Sequence, residues 1–143
     1  FVIANHWCSK GGDDPLFGAR QPPRQESSAQ RVAQARAVRA FADELIAAGA
    51  PVLVLGDLND FPSSEPLSVL TAGGGLVELT DRLPEVERYS FIYQGNSQQL
   101  DHILASPALA ALCSEARPVH VDCEFAGPMS DHDPVIARFE TGD

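Results

Sequence analysis

The sequence predicts a layered α/β (α+β) sandwich, and three features point to it. Pro51-Val52-Leu53-Val54-Leu55 is a continuous apolar run, the pattern of a strand covered on both faces. Before it, Val32, Ala35, Val38, Ala42, Leu45 and Ile46 recur at helical spacing. From Tyr89 onward, short apolar runs alternate with turn residues. Strands and helices therefore mix along the chain, and such a mixture buries its apolar faces in layers.

The elements follow in order. Phe1-Val2-Ile3-Ala4 predicts a short buried strand ending at Asn5-His6. Trp7 to Gln25 carries Gly11, Gly12, Pro15, Gly18, Pro22 and Pro23 and predicts an irregular loop. A loop of that length is usually functional or disordered. Ser27 and Gln30 have capping-box spacing, which starts a helix there. Arg31, Arg36 and Arg39 fall largely on the side away from its apolar stripe, and Gly49 is its stop. After the central run, Gly56-Asp57-Leu58-Asn59-Asp60-Phe61-Pro62 is a polar strand end. Ser63, Ser64, Glu65 and Pro66 open a short helix through Leu70. Gly73-Gly74-Gly75 is a loop, and Leu76 to Leu79 predicts a short strand. Tyr89 to Tyr93 and Gln99 to Leu104 read as strands on either side of a turn at Gly95-Asn96. Pro107 to Leu112 predicts a short helix; Val119-His120-Val121 and Val135 to Phe139 predict the last strands.

A length of 143 residues fits one domain. Composition is globular, with 44% hydrophobic and 21% charged residues. No run approaches the roughly 20 apolar residues of a membrane span. Aromatics are 7%, which disfavours an aromatic-platform binder of single strands. Asp and Glu number 20 against 10 Lys and Arg, the opposite balance to a passive DNA-coating protein. Acidity leaves a nucleic-acid enzyme open, because a bound cation supplies positive charge locally. Some carboxylates then read as ligands. The three cysteines, Cys8, Cys113 and Cys123, show no CxxC spacing, so a zinc knuckle is not supported. One bridge between Cys113 and Cys123 and three small buried residues are the two readings.

Polar clusters sit at the ends of the apolar runs. Asp57 and Asn59 are two apart and share a side if the strand continues. A carboxylate beside a carboxamide suits a hard cation and a phosphate oxygen; the other reading is a polar turn. Asp131-His132 places a carboxylate beside an imidazole whose ordinary pKa near 6.5 suits a general base. Asp101 stands in an apolar stretch, Leu100 to Leu104, and needs a partner there. A histidine is the natural one, its tautomer fixed by the carboxylate. Strand alternation sends His102 to the opposite face, so His102 reads as structural. His120, between Val119 and Val121, reads likewise. His6 and Lys10 admit both functional and structural readings.

Taken together, Asn5-His6, Gly56-Asp57-Leu58-Asn59, Leu100-Asp101-His102 and Ser130-Asp131-His132-Asp133-Pro134 resemble the endonuclease/exonuclease/phosphatase superfamily in order and spacing. Tyr89 to Asn96 running on to His102, and Asn5 to Gly11, are similar to secreted bacterial nucleases of that superfamily. The resemblance implies a four-layer αββα sandwich with mixed sheets, of which residues 1–143 match the C-terminal half. The family's other half contributes an Asn and a Glu near the metal, with no counterpart here. Carried over residue by residue, the resemblance implies His132 as general base, oriented by Asp101. Asp131 lies at a Mg²⁺ or Mn²⁺ ion, with Ca²⁺ a third option, and Asp57 either binds that ion through water or assists the leaving oxygen. Asn59 holds the scissile phosphate, His6 donates to the phosphate or stabilises developing charge, and Asn5 and Lys10 contact substrate. Nucleic acid is the implied substrate and secretion the implied location. The alternatives are a phospholipid or small phosphorylated substrate, or a non-catalytic binding fragment.

Overall fold

The computed structural model describes residues 1–15 and 17–140. Along the chain run β1 (Val2–His6), α1 (Ser28–Ala47), β2 (Leu53–Asp57), α2 (Glu65–Thr71), β3 (Val77–Glu78), β4 (Phe91–Tyr93), β5 (Asn96–Gln98), β6 (Asp101–Ala105), α3 (Pro107–Ala110), β7 (Cys113–Pro118) and β8 (Val135–Phe139). A mixed sheet in the order β1-β2-β6-β3 is the centre. β1 and β2 are parallel, so α1 serves as the crossover that parallel neighbours require. β6 runs antiparallel to β2.

Alternation along β2 feeds two cores. On one face Val52, Val54, Leu58 and Leu104 meet Ala35 and Ala42 of α1 and Leu67 and Leu70 of α2. On the other, Leu53, Leu55, Ile103 and Ala105 meet Cys113 and Ala116 of β7 and Val135, Ala137 and Phe139 of β8. Helices, mixed sheet and the β7–β8 sheet therefore stack in layers, as the continuous apolar run required.

Several expectations need correction. Ser27 is not a capping box. Its backbone is helical, and its hydroxyl donates to Asp13 and accepts from Arg31 at 2.6 Å. Arg31 does not lie on an open face; it is fully buried, because Asp60 and Asp13 draw its guanidinium inward. Gln99 to Leu104 is not the partner of the Tyr89–Tyr93 strand. β4 pairs with β5 across Gln94-Gly95, and β6 begins at Asp101 in the central sheet. The strand expected at Val119 to Val121 ends instead at Pro118, where β7 stops and the next backbone N–H groups turn toward Asp133. Gly49 is the stop of α1, with a positive φ of 80° and its N–H on the Ile46 carbonyl. All three cysteines are unbridged: Cys113 is core, and Cys123 Sγ donates to Asp133 at 2.9 Å.

His102 is structural, as strand alternation predicted. It is 1% exposed, with Nδ1 donating to Glu78 at 2.9 Å and Nε2 donating to the Asp60 carbonyl at 3.0 Å. Burial pushes its pKa down, but the Glu78 hydrogen bond and charge outweigh that and hold it above the ordinary value. The pair then stabilises the fold fully below about pH 6.5 and loses that contribution as pH rises through the higher folded value. Thermal melts of the wild type and of Glu78→Gln should converge as pH rises above that range; a gap constant between pH 6 and 10 contradicts the ionised pair.

Gly56 sets the spacing between β1 and β2. A Cβ there would stand 2.0 Å from the Asn5 carbonyl oxygen, and φ is +128°. Gly56→Ala should lower stability by at least about 2 kcal/mol, seen as a lower midpoint in denaturant.

Candidate active site

Register builds the site. In β1 and β2 His6 stands opposite Asp57, and in β2 and β6 Asp57 stands opposite Asp101. Three chemically capable side chains thus form one row across adjacent strand ends. His132 reaches the row from the other end of the chain, fixed by a single bridge to Phe91 of β4 and by stacking on its ring, centroids 4.6 Å apart.

The centre of the row is the Asp57 carboxylate. His6 Nε2 is 3.5 Å and His132 Nε2 is 4.0 Å from Asp57 Oδ2. His132 Nδ1 donates to Asp101 Oδ2 at 2.6 Å, which leaves Nε2 turned toward Asp57 beyond hydrogen-bond reach. Past Asp57 the chain turns through Asn59 at φ 52°, a conformation Asn tolerates. The turn brings the Asn59 N–H onto Asp57 Oδ1 at 2.8 Å and its Nδ2 onto Asp57 Oδ2 and the Trp7 carbonyl, both at 3.1 Å.

The electrostatics follow. The Asp101 hydrogen bond holds the His132 pKa above its ordinary value against burial, and the Asp57 and Asp131 charges add to it. Burial raises the pKa of Asp57; the Asn59 N–H works against this, the Asp101 charge adds to it, and His132 and His6 oppose. Among the described residues no Lys or Arg forms an ion pair with Asp57 or Asp101. Among the described residues, the ion-pair partners of these two carboxylates are the His6 and His132 imidazoles.

The expected ligands meet this geometry unevenly. Asp131 is exposed beside His132. Among the described residues no group of three or more His, Cys, Asp or Glu could hold a metal ion. This donor set does not make a closed cage. It fits a hard ion held through one or two carboxylates, with water and substrate oxygens completing the shell, as Mg²⁺ binds. Asn5 donates to the Ile3 carbonyl at 2.8 Å and accepts from Trp7 Nε1 at 3.1 Å, so its amide is occupied within the strand end. Lys10 Nζ lies 2.6 Å from Asp60 Oδ1 and 4.6 Å above the Phe61 ring. It is neither a solvated surface lysine nor a free cation; it neutralises a buried carboxylate.

Three residues at the site were given no role by the sequence. Ser90 is fully buried, and its hydroxyl donates to Asp101 Oδ2 at 2.6 Å, the oxygen that also holds His132. Its carbonyl accepts from Asp133 N–H at 2.7 Å. Asp133 accepts from the N–H groups of Val121, Asp122 and Cys123 and from His120 Nδ1, which pins the turn after His132. Burial opposes its ionisation, but these hydrogen bonds hold its pKa far below the usual carboxylate range. His120 is thus structural, stacked on Tyr89 with centroids 4.1 Å apart. The third is Asp60, which binds Arg31 as well as Lys10.

Residues 3–132 match the model of the Endonuclease/Exonuclease/phosphatase family. No curated protein matches the chain. Among solved structures, a 3′ phosphatase from Neisseria bound to product DNA hairpin superposes with a TM-score of 0.66 at 25% identity, covering 98% of this chain and 61% of that one. An AP endonuclease from Archaeoglobus fulgidus gives 0.71 at 17% identity with the same coverage. A mannosyl-6-phosphatase from Bacteroides thetaiotaomicron gives 0.61 at 18%, covering 79% of this chain and 46% of that one. The chain therefore spans less than two thirds of the length of these structures. With the family model covering nearly all of the described sequence, this chain belongs to the endonuclease/exonuclease/phosphatase family.

Proposed function

We propose that this chain carries the base-bearing part of a divalent-metal-dependent phosphodiesterase that cleaves DNA or RNA. One observation supports this above the rest: the Asp101–His132 pair presents Nε2 toward the Asp57 carboxylate. A phosphodiester needs an attacking water, a base to take its proton, and positive charge against the phosphoryl oxygens.

In this reading Asp101 accepts the hydrogen bond from Nδ1–H and fixes the tautomer, so the unprotonated Nε2 takes the water proton. The imidazolium that results is stabilised in place, because Asp101 and Asp57 both face it. Asn59 holds a phosphate oxygen near the Asp57 end of the row, exchanging its Nδ2 bond to Asp57 Oδ2 for one to the phosphate. His6, with 77% of its side chain exposed, donates to a second oxygen. A Mg²⁺ or Mn²⁺ ion held by Asp57, with Asp131 nearby, would supply the positive charge this strand end lacks; Ca²⁺ would fit the same oxygens. Water and phosphate oxygens would complete its shell, and secretion is part of the same proposal.

A supercoiled-plasmid nicking assay tests the reading, run on this chain beside its longer parent. Nicking should need Mg²⁺ or Mn²⁺, stop in EDTA, and fall about 10²–10⁴-fold in His132→Ala. Full activity in His132→Ala removes the base assignment. Cleavage only of a lipid or sugar phosphate moves the substrate class, and absence of divalent-metal binding leaves a binding fragment.

Ser90 acts through Asp101 as a positioning residue. Ser90→Ala should lower kcat about tenfold with little change in KM, since a hydrogen bond to a charged group is lost. Ser90→Thr should restore most of it; equal loss in both variants indicates disturbed packing instead.

A further inference from the structure

Beside the row of strand ends lies an open groove of about 880 Å³, bounded by the β4–β5 hairpin on one side and residues 10–15 on the other. Two properties define what can enter it. The first is a sequence of rings that begins at the proposed base. His132 stacks on Phe91, and Phe91 lies nearly parallel to Tyr93, at 12° with centroids 6.3 Å apart. Phe91 and Tyr93 are two apart on β4 and so share a face. Tyr93 is 53% exposed, a large aromatic surface with no burial role in the core.

The second property is charge. The ionic groups of the opposite wall are already paired: Lys10 with Asp60, Asp13 with Arg31, and Asp14 with Arg24. The hairpin contributes Gln94, Asn96 and Gln98 to the lining, and the floor adds Asn59. All four are uncharged amides; Asn59 and Asn96 already donate through Nδ2 within the chain and keep Oδ1 to accept, while Gln94 and Gln98 can do both. A second phosphate or a charged head group finds no unpaired counter-ion among these residues. A flat, uncharged ring with a polar edge fits both properties, because aromatic faces hold it by stacking and amides meet its edge.

We infer that this groove seats an unpaired nucleobase of the substrate, stacked on Tyr93 beside the phosphate held at Asn59. The inference rests on the nuclease reading and narrows it. A base inside a duplex has both faces covered and cannot offer one to Tyr93, so the favoured substrate is single-stranded or has a splayed terminal nucleotide. The low aromatic content still argues against a strand-coating platform; a single ring placed next to the chemistry is a different device.

The test is binding without cleavage. Short single-stranded oligonucleotides in EDTA, one normal and one with its central base removed, are titrated into this chain. Wild type and Tyr93→Ala are compared, with ring-proton NMR shifts as readout. Tyr93→Ala should weaken the normal strand about five- to tenfold and leave the abasic strand unchanged. Duplex of the same sequence should bind the wild type no better than the abasic strand does. Equal weakening of both strands, no weakening, or no base-dependent binding overturns the inference. So does a Tyr93-dependent response to mannose 6-phosphate or to phospholipid vesicles. Tyr93 is exposed at a hairpin end, and unchanged far-ultraviolet circular dichroism confirms that the variant folds. Failure here with His132-dependent nicking intact removes only the groove; base-dependent binding without nicking removes only the hydrolase.

Discussion

The carboxylate of Asp60 is the point from which the surroundings of the site are hung. It is 2% exposed and binds two cations, Arg31 at 2.8 Å and Lys10 at 2.6 Å. Arg31 also donates to the Cys8 carbonyl and to Ser27. Through these few contacts one buried anion joins α1, the loop after β1 and the turn after β2. A buried carboxylate stripped of its partners typically destabilises by about 3–5 kcal/mol, so neither cation is free to leave. The long glycine- and proline-rich loop is thereby tied down where it meets the site. His102 extends the same arrangement, holding the Asp60 carbonyl on one side and Glu78 on the other.

Above this base, the row of His6, Asp57 and Asp101 owes its geometry to backbone pairing rather than to loop packing. Strand ends are stiff, and a reacting group placed there loses little entropy on binding substrate. His132 lacks that support and is held instead by Phe91, Asp101 and the clamped turn at Asp133. The proposed base thus sits on the less rigid side, and the Asp101 carboxylate it is bonded to sits on the sheet.

Patterns with a strong local cause were legible in the sequence. The central strand, the long helix and its Gly49 stop follow from periodicity and from the freedom of glycine at positive φ. Asp101 could be read as needing a histidine other than its neighbour, because strand alternation settles which face each residue occupies. What escaped was decided by tertiary charge. Ser27 looked like a cap because its spacing fits one, yet Asp13 claims its hydroxyl. Arg31 looked solvated because arginines usually are, yet a carboxylate from another loop buries it. Ser90 was invisible, since a serine within a strand pattern is ordinary until its partner, eleven residues on, is known.

The β4–β5 hairpin is a two-stranded sheet of its own, outside the hydrogen-bond ladder of the central sheet. It meets the candidate site at its root, through Ser90 and Phe91. Its two-residue tip, Gln94-Gly95, adopts positive φ at both positions and so forms a self-contained turn. Tip and root are thus separable under mutation. Length and sequence at the tip can drift, and with them the shape of the groove, while the Asp101–His132 pair below stays in register. A scaffold divided in this way can acquire a new substrate by editing a few residues of one ribbon.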